Sequence, residues 1–151
     1  MLYPMYIDGQ WYEGSGEVRD VVSPSTGEVI GQIPMGNADD VDRAVKAAVR
    51  ERATLEKMTV FERADMLVRI SRAITARRDE LAELLTKEHG KPIGEAYGEV
   101  DGSAGAFIEI SEQIKWMRSE IIPVREANKR CLVFRKPLGV FGVITPWNFP
   151  L

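Results

Sequence analysis

The sequence holds 151 residues, 44% hydrophobic and 28% charged, with 20 Lys and Arg against 23 Asp and Glu for a net charge of -3. These proportions describe an ordinary globular protein and predict one domain with its own core, too short for two. The near-balance of charge, with short scattered basic clusters at Arg77-Arg78, Lys129-Arg130 and Arg135-Lys136, argues against a nucleic-acid partner, and the single Cys131 excludes an internal disulfide.

The first residues, MLYPMYIDGQW, carry neither a basic n-region nor an apolar h-region, and no later apolar run approaches the length that crosses a bilayer. No membrane contact is expected, and a cytoplasmic location is. Tyr6-Ile7 and Trp11-Tyr12 flank Asp8-Gly9-Gln10, a hairpin signal. A second turn, Ser23-Pro24-Ser25-Thr26-Gly27, separates Val21-Val22 from Val29 to Ile33. Together they predict a small antiparallel sheet.

Helices follow. Asn37 is placed to cap a helix whose third residue is Asp40, and Val41, Ala44, Val45, Ala48, Val49 and Leu55 recur at helical period. Thr59-Val60-Phe61-Glu62 is a capping box opening the next helix. The apolar stripe slips at Arg77 to Asp79, which predicts a bend or two abutting helices. Gly90 ends that run and Pro92 starts another, about Ile93 to Arg118, with Gly94, Gly98 and Gly102 on one face. A glycine stripe predicts close packing on a neighbour, since glycine weakens a helix interior.

Beyond Pro123 the chain turns to strand again. Cys131 to Phe134 is one strand; Val140 to Thr145 is a near-continuous apolar run, as in a strand buried on both faces of an α/β sheet. The fold class expected is α/β, with strands and helices leading into the first strand of a sheet of the parallel kind.

Few residues could carry chemistry. Cys131 sits mid-strand without an adjacent base, and a free cysteine there usually behaves as a small apolar residue. His89 stands in the last turn before Gly90, where an imidazole can meet free helix carbonyls. Neither is read as catalytic, and no metal-ligand cluster or phosphate loop occurs. The turn Thr145-Pro146-Trp147-Asn148-Phe149-Pro150 is different, because it would lie at the carboxyl end of a buried strand, where open α/β sheets bind ligands. Asn148 has two readings: a fixed amide donor to an oxyanion, or a turn residue serving the backbone.

The stretch PLGVFGVITPWNFPL resembles the first Rossmann strand and following turn of the aldehyde dehydrogenase superfamily. SPSTGEVIGQIP with NADDVDRAVKAA, and FERADMLVRISRAITARRDELAELLTKEHGKP, are similar to the same family's N-terminal strands and helices. The resemblance implies that Asn148 is the oxyanion-hole asparagine, donating to the thiohemiacetal oxygen formed when a cysteine attacks an aldehyde. It implies that Ile144, Thr145, Pro146 and Trp147 lie along NAD or NADP, and that a small aldehyde is the substrate, with semialdehydes and small hydroxyaldehydes in view. It also implies that residues 1–151 belong to the cofactor-binding part, that an arm at about 120–136 pairs subunits in a homo-oligomer, and that the catalytic domain, with its nucleophilic cysteine, is absent from this stretch. The alternative is a truncated, non-catalytic homologue acting as a binding or subunit-pairing module.

Overall fold

A computed structural model describes all residues, Met1 to Leu151. Strand β1 (Met5–Ile7) pairs antiparallel with β2 (Gln10–Tyr12). Asp8 and Gly9 both take positive φ, 56° and 76°, the turn that matches strand twist. Tyr6 and Trp11 face each other across the pair, with ring centroids 5.0 Å apart. Strand β3 (Val18–Val22) pairs antiparallel with β4 (Val29–Pro34), and a single parallel bridge from Leu2 to Gln32 adds the N-terminus. The expected small sheet is therefore two separate hairpins.

Helix α1 (Ala38–Lys57) begins where expected. The Asn37 side chain accepts from the Asp39 and Asp40 amides at 2.9 and 3.1 Å, and the Asp40 carboxylate accepts in turn from the Asn37 amide. Helix α2 (Val60–Ala76) opens on the Thr59/Glu62 box, and α3 (Arg78–His89) follows directly, so the slipped stripe marks two helices. Gly90, at a left-handed φ of 73°, ends α3. Helix α4 (Ile93–Gln113) continues into a 3-10 turn, Ile114–Trp116. Helices α2 and α3 both pack on α4; Ala82 and Leu85 of α3 meet Ala96 and Val100 of α4, with Ile74 of α2 against them. Strand β5 (Glu120–Ile122) then pairs antiparallel with β6 (Cys131–Val133).

Four expectations need correction. Val140 to Thr145 forms no strand, and no parallel sheet exists; the sheets are three two-stranded antiparallel hairpins. A parallel strand needs a neighbour to complete its ladder, and none of this chain's strands lies alongside. The glycine face of α4 is exposed, with nothing within 4 Å of a Cβ built at Gly94, Gly98 or Gly102. The apolar stripe of α1 is likewise uncovered at Val41, Val45, Val49 and Leu55. Finally, the expected single core is small: 14 of 151 residues are buried, and the largest side chain fully enclosed is Val100. The accessible surface is 11677 Å², whereas a compact monomer of this mass exposes about 7,700 Å².

Candidate active site

The turn singled out from sequence closes on a single backbone bond, from the Phe149 amide to the Pro146 carbonyl at 3.3 Å, with Trp147 and Asn148 at its centre. Pro146 and Pro150 bias the residues before them toward extended conformations, so the turn is bounded on both sides. Ile144, Thr145, Pro146, Trp147 and Asn148 lie on the surface in sequence order, with Ile144 97% and Trp147 85% exposed. From Leu138 to Thr145 no amide or carbonyl enters a backbone–backbone hydrogen bond, leaving a row of polar groups open to a neighbouring strand or a ligand.

The exposed Asn148 side chain makes no hydrogen bond within the chain, so its amide does not serve the turn's own backbone. The turn is held from outside. Lys91 Nζ donates to the Asn148 carbonyl at 3.0 Å and stands 4.8 Å from the centroid of the Phe149 ring. The Leu151 amide donates to Glu99 Oε1 at 3.1 Å, and Ser103 Oγ donates to the Leu151 carbonyl at 3.1 Å. Lys91 and Glu99 also form an ion pair, with their side chains only 12% and 2% exposed. These contacts line an open groove of about 500 Å³ between the turn and the glycine face of α4, bounded by Gly98, Gly102, Phe149 and Leu151.

Sequence reasoning missed Lys91, Glu99 and Ser103. The one available signal is the Glu-His-Gly-Lys-Pro corner, which punctuates the helices and carries part of the family resemblance but does not by itself point to the turn. Contacts spanning 48 to 57 residues leave no periodic trace.

The two residues set aside for chemistry stay apart from this turn's contacts. Cys131 is half-buried in β6 opposite Ile122. Its basic neighbours are occupied: Lys129 pairs with Glu126, and the Arg130 guanidinium bonds the Ala127 and Lys129 carbonyls. His89 is half-buried and makes no hydrogen bond to the last α3 carbonyls; the Gly90 amide takes Thr86 O instead, at 2.9 Å. No group of three His, Cys, Asp or Glu side chains is arranged to hold a metal ion. No helix is long and apolar enough to cross a membrane.

The aldehyde dehydrogenase family model matches residues 11–151. The chain belongs to the aldehyde dehydrogenase family. It is 40% identical to the 3-sulfolactaldehyde dehydrogenase of Pseudomonas putida over 147 residues, 96% of this chain and 30% of that protein. It is 39% identical to the NADP(+) succinate-semialdehyde dehydrogenase GabD of Escherichia coli strain K12 over 146 residues, 95% of this chain and 30% of that enzyme. The crystal structure of an NADP dependent enzyme of E. coli superposes with a TM-score of 0.93 at 36% identity, covering 97% of this chain and 31% of its own. The chain thus spans about 30% of the length of the curated relatives it matches.

Relatives are named for either cofactor, the E. coli succinate-semialdehyde dehydrogenase for NADP(+) and an aldehyde dehydrogenase of Sinorhizobium meliloti for NAD. A dinucleotide lying along the segment that enters the turn would meet both apolar and polar surface. Ile144 and Trp147 offer apolar surface, and the unpaired backbone groups leading to Thr145 offer donors and acceptors.

Proposed function

We propose that this chain is part of an NAD(P)-dependent aldehyde dehydrogenase that oxidises a semialdehyde or small hydroxyaldehyde to the carboxylate. The observation that carries the reading is Asn148, a neutral amide with both N–H donors unpaired, at the exposed tip of a turn tied to α4. When a nucleophile attacks an aldehyde carbon, the carbonyl oxygen gathers negative charge. A donor already aimed at that oxygen lowers the transition state more than the planar aldehyde. An amide does not titrate, so the donor is present at every working pH.

Ile144, Thr145, Pro146 and Trp147 would hold the cofactor along the segment entering the turn. NAD or NADP, when bound there, supplies the hydride acceptor. The attacking cysteine is assigned to residues beyond these 151, since Cys131 belongs to the β5–β6 hairpin and has no base beside it. The exposed apolar side chains Ile121, Leu132 and Phe134 on and beside that hairpin support a role in pairing identical subunits. The substrate class is supported by the relatives named for 3-sulfolactaldehyde and succinate semialdehyde.

The test is an assay of the protein expressed from its complete coding sequence, against semialdehydes and hydroxyaldehydes with both NAD and NADP. Aldehyde-dependent formation of NADH or NADPH is expected. Its absence with every combination would overturn the catalytic reading and favour the non-catalytic pairing module.

A further inference from the structure

Lys91 and Glu99 sit beneath the turn rather than at its tip. Lys91 follows the left-handed Gly90 that ends α3, and Glu99 lies in the second turn of α4. Their side chains are nearly out of water, and a buried charge is tolerated only with partners that satisfy its remaining hydrogen-bonding capacity. Each finds its second partner in the turn. Lys91 Nζ donates to the carbonyl of Asn148 itself, while Glu99 keeps Oε2 for Lys91 and accepts the Leu151 amide on Oε1.

The turn's own closure is a lone 3.3 Å bond. Two charge-assisted bonds, one at Asn148 and one three residues later, are shorter and hold the backbone from both sides. Holding the Asn148 carbonyl fixes its peptide plane, and so the origin from which its side chain projects. We propose that the Lys91–Glu99 pair is a positioning device that sets where the Asn148 amide is presented. Its effect on catalysis rests on the oxyanion reading of Asn148; its effect on the turn does not. Neither side chain is a catalytic residue, since both act through the backbone of the turn.

The test uses the complete protein with Lys91→Met and with Glu99→Gln, which keeps shape and an acceptor and so serves if the first variant does not fold. Each should lower kcat by between about 10- and 100-fold, the scale of a misplaced catalytic group. KM for the aldehyde and Kd for the cofactor should stay near wild type. In an Asn148→Ala background the same substitutions should cost kcat almost nothing further, because the group they position is gone. Unchanged kcat, a loss that falls on KM instead, or a loss undiminished in the Asn148→Ala background would each overturn the positioning role. Amide exchange at Leu151 reads the anchoring separately. Several-fold faster exchange in both variants is expected, and unchanged exchange would show that the pair does not hold the turn. Asn148→Ala with undiminished kcat would remove the oxyanion reading alone, leaving the anchoring to be decided by that exchange.

Discussion

Arg78 grips Asp101 with two parallel hydrogen bonds, at 2.6 and 2.7 Å, tying the start of α3 to the middle of α4. The same guanidinium lies over the Tyr97 ring, 4.2 Å from its centroid, and so adds a cation–π contact to the fork. The Arg78 bond holds the Asp101 carboxyl below its ordinary 3.8. A carboxyl depressed in the folded state stabilises fully above its unfolded value, and that contribution fades as pH falls through the folded one. Asp101→Asn should therefore lower the urea midpoint at neutral pH, and the gap from wild type should narrow steadily as the pH is taken below the ordinary 3.8. Midpoints measured at low protein concentration check this, and a gap that widened on acidification would contradict it.

The glycine face of α4 gives a prediction of opposite sign. A Cβ at Gly98 meets nothing within 4 Å, and glycine in a helix interior costs about 0.8–1.0 kcal/mol relative to alanine. Gly98→Ala should stabilise α4 in the 151-residue chain by up to that amount, seen as slower amide exchange across the helix. Destabilisation would mean that another surface already packs on this face.

The chain by itself should self-associate. Ile144, Trp147, Phe141 and Val143 are exposed in one segment, and the α1 stripe and Phe61 add further uncovered apolar surface. Unpaired backbone between Leu138 and Thr145 offers a strand edge to another copy. Light scattering should show species larger than a monomer, and the chain alone should oxidise no aldehyde. A monomer with a sharp cooperative melt would contradict the first expectation.

What the sequence disclosed follows the range of the forces involved. The Asn37/Asp40 and Thr59/Glu62 caps, the Gly90 stop and the α2–α3 break were all readable, because each rests on bonds within four residues. The turn at Pro146 to Phe149 was readable for the same reason. Strand β5 was missed: Ile121 and Ile122 favour a strand, but a run of three residues is too short to stand out until β6 pairs with it. Val140 to Thr145 failed in the other direction, since an apolar run becomes a strand only beside a partner. Lys91 and Glu99 could not be found by spacing, because their bonds to Asn148 and Leu151 join residues more than fifty apart.

The central claim is that the Asn148 amide stabilises an oxyanion, and kcat of Asn148→Ala in the complete protein tests it most directly. Removing one such donor should lower kcat by about 10²–10³-fold, or about 2.7–4 kcal/mol. Cofactor Kd should be essentially unaltered, because the cofactor is assigned to Ile144 through Trp147. An Asn148→Ala enzyme with wild-type kcat would contradict the account.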